Sequence, residues 1–279
     1  MSKTLFDCTL ELARVLGVLT EGVATGGSTS TLIDTVERTE ADDYWNGGTA
    51  WITYDAGGLG AAPQGEYSVI TDHVQSTSTL TLRGVTTAVA SSDRYAVAGV
   101  KYPLQILIQK VNEALPVIEK VDITTITIAA DQKEYSLPSD VWTLKQVWLQ
   151  TNTGDSDVND WEQLFDWTVK KSATGTANVL VLERQFDSGV VLRLHYLTDH
   201  QVLRAATDKL DDSIHINLVV YNAAVGALLW RKAKVGESDL TVNDLLNYYQ
   251  AKAAMVSNEY AMSLPRKSAR TIHPVFERP

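Results

Sequence analysis

The stretch Ile214–Met262 constrains this chain most, because it reads as two long helices joined at Gly236. Asp211, Asp212 and Ser213 are candidate N-caps, and Ile214, Leu218, Tyr221, Val225 and Leu228 then recur at spacings of three or four residues. Val219, Val220, Ala223, Ala224 and Leu229 widen this stripe until the helix is apolar around most of its circumference, which predicts the most buried helix of the fold. Arg231, Lys232 and Lys234 crowd its last turn, where cations oppose the negative helix end. A DNA-binding basic patch is the alternative reading of these three residues. Ser238 or Asp239 can restart the chain, and Leu245, Tyr249, Ala253, Val256 and Tyr260 repeat on one face of a second helix. Two such helices predict an antiparallel hairpin.

The rest of the chain alternates between helical and β language. Residues 1–20 contain a short helix carrying Leu5, Cys8, Leu12, Val15 and Leu16, and Gly17–Thr31 reads as a flexible Gly, Ser and Thr connection. Residues 31–99 hold short alternating runs between glycine-rich turns, which predicts a small barrel or sandwich. Residues 100–120 return to a helix behind Pro103, with Leu104, Leu107, Ile108, Val111 and Leu115 on one face. Residues 121–200 form a second β region, residues 211–262 the helical hairpin, and residues 263–279 a tail. The fold class expected from this order is α+β, a helical bundle frame with two β-rich insertions and an extended C-terminal arm.

Charge is sorted along the chain. Net charge is −10; residues 21–100 hold three basic against ten acidic residues, a net −7, and residues 121–212 hold eight against fifteen, again −7. The tail has four basic residues and one acidic, a net +3. An acidic balance of this size argues against ordinary duplex binding, where phosphate neutralisation supplies most of the affinity. No run of about 18 apolar residues is present to span a bilayer, and the first residues lack the pattern of a secretion signal, so a cytoplasmic site of synthesis is expected. Cys8 has no partner for an intramolecular disulfide and reads as a small apolar residue rather than a catalytic thiol.

No constellation anchors an enzyme. Asp155-Ser156-Asp157-Val158-Asn159 with Asp166 imitates a calcium loop, but Asp160 stands where the sharp turn wants glycine and the last ligand is not Glu. His195, His200 and His215 would need to converge near Asp211 and Asp212 to hold zinc, yet a five-residue spacing puts the first two on opposite strand faces. Gly57, Gly58 and Gly60 have no following Lys-Ser/Thr to make a phosphate cradle, and Gly26-Gly27-Ser28-Thr29 lacks a nucleophile elbow. Trp142 and Trp148, an even number apart, are expected on one strand face, with Trp161 and Trp167 lining an adjoining segment. Packing in a core or subunit interface is the simpler reading of these rings; a glycan or base-stacking surface is the sharper one. No catalytic, cofactor or metal residues are expected.

The tail is read separately. Pro265, Pro274 and Pro279 prevent a regular helix, while Ile272, Val275 and Phe276 offer apolar anchors beside Arg266, Lys267, Arg270 and Arg278. These seven residues predict a partner-docking arm.

The opening helix, the helix from Pro103, the phrase Glu134-Tyr135-Ser136-Leu137-Pro138-Ser139-Asp140-Val141-Trp142 and the closing helices with a long tail together resemble the head-to-tail adaptor, or connector, proteins of tailed bacteriophages. The likeness is greatest to the P22-like tail accessory factor family, with residues 31–99 as an inserted β-module. The resemblance implies a virion structural protein at the head-to-tail junction and not an enzyme. It implies a homo-oligomeric ring of twelve copies under the portal protein, a downstream tail or nozzle protein, and a channel for DNA ejection. Genomic DNA would pass through that channel without sequence-specific binding, and neither membrane nor cofactor is implied. The alternative is a tail or nozzle protein whose β-module binds another virion protein or a cell-surface glycan.

Overall fold

A computed structural model describes residues 3–58, 60–151, 161–171, 178–235 and 240–259, and these fall into two units, 3–118 with 200–259, and 119–199. In the first unit, helix α1 (Leu5–Val15) starts at Thr4, whose hydroxyl accepts the Asp7 N–H while the Asp7 carboxylate accepts the Thr4 N–H. This reciprocal cap fixes the first turn and buries Leu5, Cys8, Thr9 and Leu12 on one face.

Seven strands follow: β1 (Leu19–Val23), β2 (Gly26–Gly27), β3 (Thr31–Ile33), β4 (Thr49–Tyr54), β5 (Tyr67–Val74), β6 (Thr79–Leu82) and β7 (Arg94–Ala98). They are hydrogen-bonded in the order β1-β7-β4-β5-β6-β3-β2, all antiparallel. The two ends of that order are halves of one bent strand. Ala24 donates its N–H to the Asp93 carbonyl (2.8 Å) on one side, and Thr25 donates to the Ile33 carbonyl (2.7 Å) on the other. The sheet therefore closes into a small barrel filled by Leu32, Trp45, Ile52, Ile70, Leu80, Tyr95 and Val97. Gly22 is required in the closing strand, since a Cβ there would meet the Tyr95 ring at 2.6 Å and the Asp34 carboxylate at 2.9 Å.

Period-two alternation makes β4 and β7 two-faced. Ala50 and Ile52, with Tyr95 and Val97, point into the barrel, whereas Trp51, Ala96 and Ala98 belong to the core that the helices cover. The helices are α1, α2 (Leu104–Ala114), α3 (Ile216–Val235) and α4 (Leu240–Glu259). α3 packs against each of the other three through Val219, Ala223, Ala224, Ala227 and Leu228, the three alanines letting helices approach closely. α3 and α4 run antiparallel, with the Tyr221 and Tyr249 rings stacked at 6.2 Å and Lys232 donating to the Asn243 side chain at 2.9 Å.

The chain leaves this unit at Ile118 and returns at His200, and the two ends are clasped. The His200 Nε2 lies 2.8 Å from the Ile118 carbonyl, while Asn112 donates to the Leu203 carbonyl and accepts its N–H, both at 2.8 Å. Residues beyond the return then pair with the beginning of the chain, Leu5 N–H to Asp208 carbonyl and Leu210 N–H to Lys3 carbonyl.

The second unit is a sandwich of two antiparallel sheets. One has the order β11 (Trp161–Leu164), β10 (Thr143–Gln150), β14 (Val191–Thr198), β8 (Lys120–Thr127); the other has β12 (Trp167–Lys171), β13 (Asn178–Leu182), β9 (Glu134–Ser136). Leu144, Val147, Leu192 and Leu194 of the first meet Tyr135, Leu180 and Leu182 of the second in one core. The phrase around Tyr135 is architectural: Tyr135 and Leu137 are buried, and the Asp140 carboxylate accepts hydrogen bonds from Tyr196 and Thr198 at 3.4 Å.

This corrects the expected helical bundle frame. The described residues are mostly β, with fourteen strands in three antiparallel sheets and four α-helices. The helices cover one side of a barrel, whose strands send Trp51, Ala96 and Ala98 into the helical core and Ile52, Tyr95 and Val97 into the barrel's own. Gly17–Thr31, which reads as a connection, supplies the strand that closes the barrel; Gly22 and Gly27 are there for close approach rather than flexibility.

Candidate interaction surface

The histidines that sequence singled out for zinc each take a local partner of their own. His200 is engaged by the Ile118 carbonyl, and His215 accepts the Asn217 N–H through Nδ1 at 3.3 Å at the start of α3. His195 sits in the sandwich beside Trp148. Among the described residues no group of His, Cys, Asp and Glu has metal-binding geometry. Residues 155–160 of the calcium-like string lie outside the described residues, and Asp166 is paired with Arg184 at 2.9 Å. Cys8 is fully buried in the helical core, where desolvation pushes its thiol up to about 12, the reverse of what a nucleophile needs. The docking-arm residues Arg266, Lys267, Arg270, Ile272, Val275, Phe276 and Arg278 also lie outside the described residues.

Two surfaces stand out instead. The first is the face of the four-stranded sheet turned away from the sandwich core. Its register sets Trp148 opposite Arg193 and Trp161 opposite Gln150, and the Arg193 guanidinium lies 3.9 Å over the Trp161 ring. His195, next but one along β14, stands 6.3 Å from the Trp148 ring. Trp142 does not join this face. A bulge at Lys145, between Leu144 and Gln146, resets the alternation of β10, so the even spacing of Trp142 and Trp148 no longer means a shared face. Trp167 instead packs on the sandwich core and donates to the Leu164 carbonyl at 3.0 Å.

Burial and the neighbouring Arg193 charge hold the His195 imidazole below its ordinary value of 6.5. The unfolded chain therefore takes up this proton at a higher pH than the folded one, and stability is lost as pH falls through the ordinary histidine range. His195→Gln is expected to flatten that part of the stability profile between about pH 7 and 5, read by urea melts; an unchanged slope would rule out this histidine as its source.

The second surface is on α4. Tyr249, Ala253 and Val256 are buried against the unit, as the periodicity predicts, with Val242 and Leu246 completing the stripe in place of Leu245. Leu245 belongs to an adjacent stripe with Thr241, Tyr248, Lys252 and Met255, spaced four, three, four and three residues. Leu245 is 36%, Tyr248 53% and Met255 59% exposed, so a second row of large side chains along this helix faces solvent.

Residues 81–272, about two thirds of the chain, match the family model described as SU10 adaptor protein. The chain belongs to the SU10 adaptor family. It is a bacteriophage head-to-tail adaptor, a structural protein of the virion. Among curated proteins none matches the chain. The SU10 adaptor match takes in part of β6, then β7, α2, the whole described sandwich, α3 and α4, and leaves α1 and β1–β5 before it. No helix among the described residues of this adaptor is long and apolar enough to cross a membrane.

Proposed function

We propose that copies of this adaptor assemble into a ring of twelve subunits under the portal protein and lead the genome toward a downstream tail or nozzle protein. The observation that carries this reading is the second stripe of α4. A monomer leaves Leu245, Tyr248 and Met255 in water, at about 25 cal/mol per Å² of apolar surface, and a neighbouring subunit would cover them. The net charge of −10 supports passive passage of a duplex, because a wall of like sign does not trap phosphate. In this assembly the basic residues Arg266, Lys267, Arg270 and Arg278 and the apolar Ile272, Val275 and Phe276 form a docking arm, with no catalytic residue or cofactor involved.

Negative-stain imaging and light scattering of the purified protein, with and without portal, test the ring. Tyr248→Asp with Met255→Asp is expected to weaken self-association by about tenfold or more, 1.4 kcal/mol for each factor of ten, while the thermal midpoint stays within a degree or two because both side chains are exposed. Undiminished assembly of this variant would remove the α4 stripe from the interface. Truncation after Leu264 is expected to weaken portal docking or ring assembly, and salt to weaken the intact complex.

A glycan-stacking role for the tryptophans of the second unit is the weaker reading of that face. The tryptophan face that would stack on a sugar is already partly occupied, since the Arg193 guanidinium covers Trp161.

A further inference from the structure

Strand β1 pairs through one edge only. Ala24 gives its N–H to Asp93 and takes the Ser92 N–H, both at 2.8 Å, so by alternation Thr20 and Gly22 also spend their backbone groups on β7. The N–H and C=O groups of Glu21 and Val23 point the opposite way. That edge meets β3 only at Thr25. Before it, the turn Asp34–Glu37 stands across the gap without completing the ladder, because Asp34 turns its carboxylate inward to the Tyr95 hydroxyl (2.6 Å) and accepts the Val36 and Glu37 N–H groups (3.0 Å each). The result is a groove between Glu21, Val23 and Ser92 on one side and Val36 and Glu37 on the other. Val23 is 49% and Val36 70% exposed, and among the described residues nothing pairs with the Glu21 and Val23 backbone. The Glu21 carboxylate also takes an ion pair from Arg14 at 3.0 Å and is still largely exposed.

An open strand edge with apolar lips and a carboxylate rim selects an extended peptide that is cationic and partly apolar. The chain carries one. Between Pro265 and Pro274 lie eight residues, Arg266–His273, each with an N–H to give to a ladder. Arg270 and Ile272 repeat the two-residue spacing of Glu21 and Val23, so a parallel register sets arginine against glutamate and isoleucine against valine. The acidic segment 21–100 and the basic tail are also the complementary halves that a head-to-tail contact between identical copies requires. We propose that this groove is a strand-addition site, filled by residues 266–273 of a second copy of the chain. The proposal rests on the multi-copy reading above, which supplies the neighbour.

Two variants of the full chain that each add one cysteine, Val23→Cys and Ile272→Cys, test it. The native Cys8 stays silent because it is buried and its thiol is pushed up to about 12. On mixing and mild oxidation a disulfide-linked heterodimer is expected by non-reducing electrophoresis. Its yield should fall about tenfold when Glu21→Lys and Glu37→Lys are added to the Val23→Cys partner. A yield no greater than that of Ile272→Cys with the exposed control Val202→Cys would overturn the proposal. So would closure of the Val23→Cys/Ile272→Cys double variant within single chains at high dilution, which would make the occupant the chain's own tail. Capture of the Ile272→Cys tail by portal alone would overturn it too. Rings seen by imaging without this crosslink would leave the ring reading standing and remove only the strand addition.

Discussion

Trp51→Ala is expected to destabilise the first unit by about 3–5 kcal/mol, the range for emptying a large aromatic site in a core. Trp51 is on the barrel's outer face, fully buried among helix residues, and its indole N–H donates to the Thr9 hydroxyl of α1 at 3.2 Å. Removing it strips one side chain that touches two architectures, so barrel and helices should lose structure together. Far-ultraviolet dichroism and near-ultraviolet tyrosine signals are expected to fall in one shared transition at lower denaturant. Two separated transitions, with helices outlasting the barrel, would show that the cores are independent. Trp51→Phe keeps most of the volume and loses the hydrogen bond, and should cost distinctly less. Excision of residues 31–99 is expected to fail for the same reason, since it would remove Trp51, Ala96 and Ala98 from the core they share with the helices.

Asp34→Ala is the second large effect. Its carboxylate is fully buried and accepts three donors, the Tyr95 hydroxyl and the Val36 and Glu37 N–H groups. The Tyr95 hydroxyl is the buried donor of the three, and leaving one without an acceptor costs about 1–3 kcal/mol, so a loss of about that size is expected, read by urea denaturation. Arg38 packs beside the Tyr95 ring. It is 1% exposed, its guanidinium lies 5.2 Å from the Trp45 ring centroid and 5.8 Å from that of Tyr95, and its ion pair is to Glu40 at 3.4 Å. Burial and the Asp34 hydrogen bond raise the Tyr95 hydroxyl above the ordinary tyrosine range, so it remains a donor across the accessible pH range. Adding Tyr95→Phe to Asp34→Ala should recover part of the loss by removing one stranded donor. A double variant as unstable as the sum of the two singles would show that the hydroxyl and carboxylate do not act as a pair.

What sequence could and could not reveal follows from which forces act locally. α3 was legible because a helix packed on several sides must be apolar on several sides, and Val219, Ala223 and Ala224 are indeed buried. The antiparallel pairing of α3 with α4 followed from the short connection. The barrel was legible as β but not in extent, since Gly22, Ala24, Gly26 and Gly27 have weak strand propensity and are held there by closure. Which core the helices belong to was not legible at all. Trp51 and Ile52 look alike as apolar strand residues, and only the closed pairing sends one to the helices and the other inward. The shared face expected for Trp142 and Trp148 failed for a different reason, because a one-residue bulge leaves no mark in a hydrophobicity pattern. The second stripe of α4 was in plain view as Leu245, Tyr248 and Met255, but periodicity alone does not say which of two neighbouring stripes meets the core. The adaptor resemblance, carried by the phrase around Tyr135 and by the closing helices, held where the architecture inferred from helix count did not.

The clasp between Ile118 and His200 sets a timetable for synthesis. The ribosome delivers α1, the barrel strands and α2 first, then residues 119–199, and only afterwards α3, which covers Leu5, Leu107 and their neighbours. At about 5–20 residues per second the nascent protein spends on the order of ten seconds with that apolar surface uncovered. Slowed translation across 119–199 would lengthen this interval, and chaperone demand during expression should rise with it.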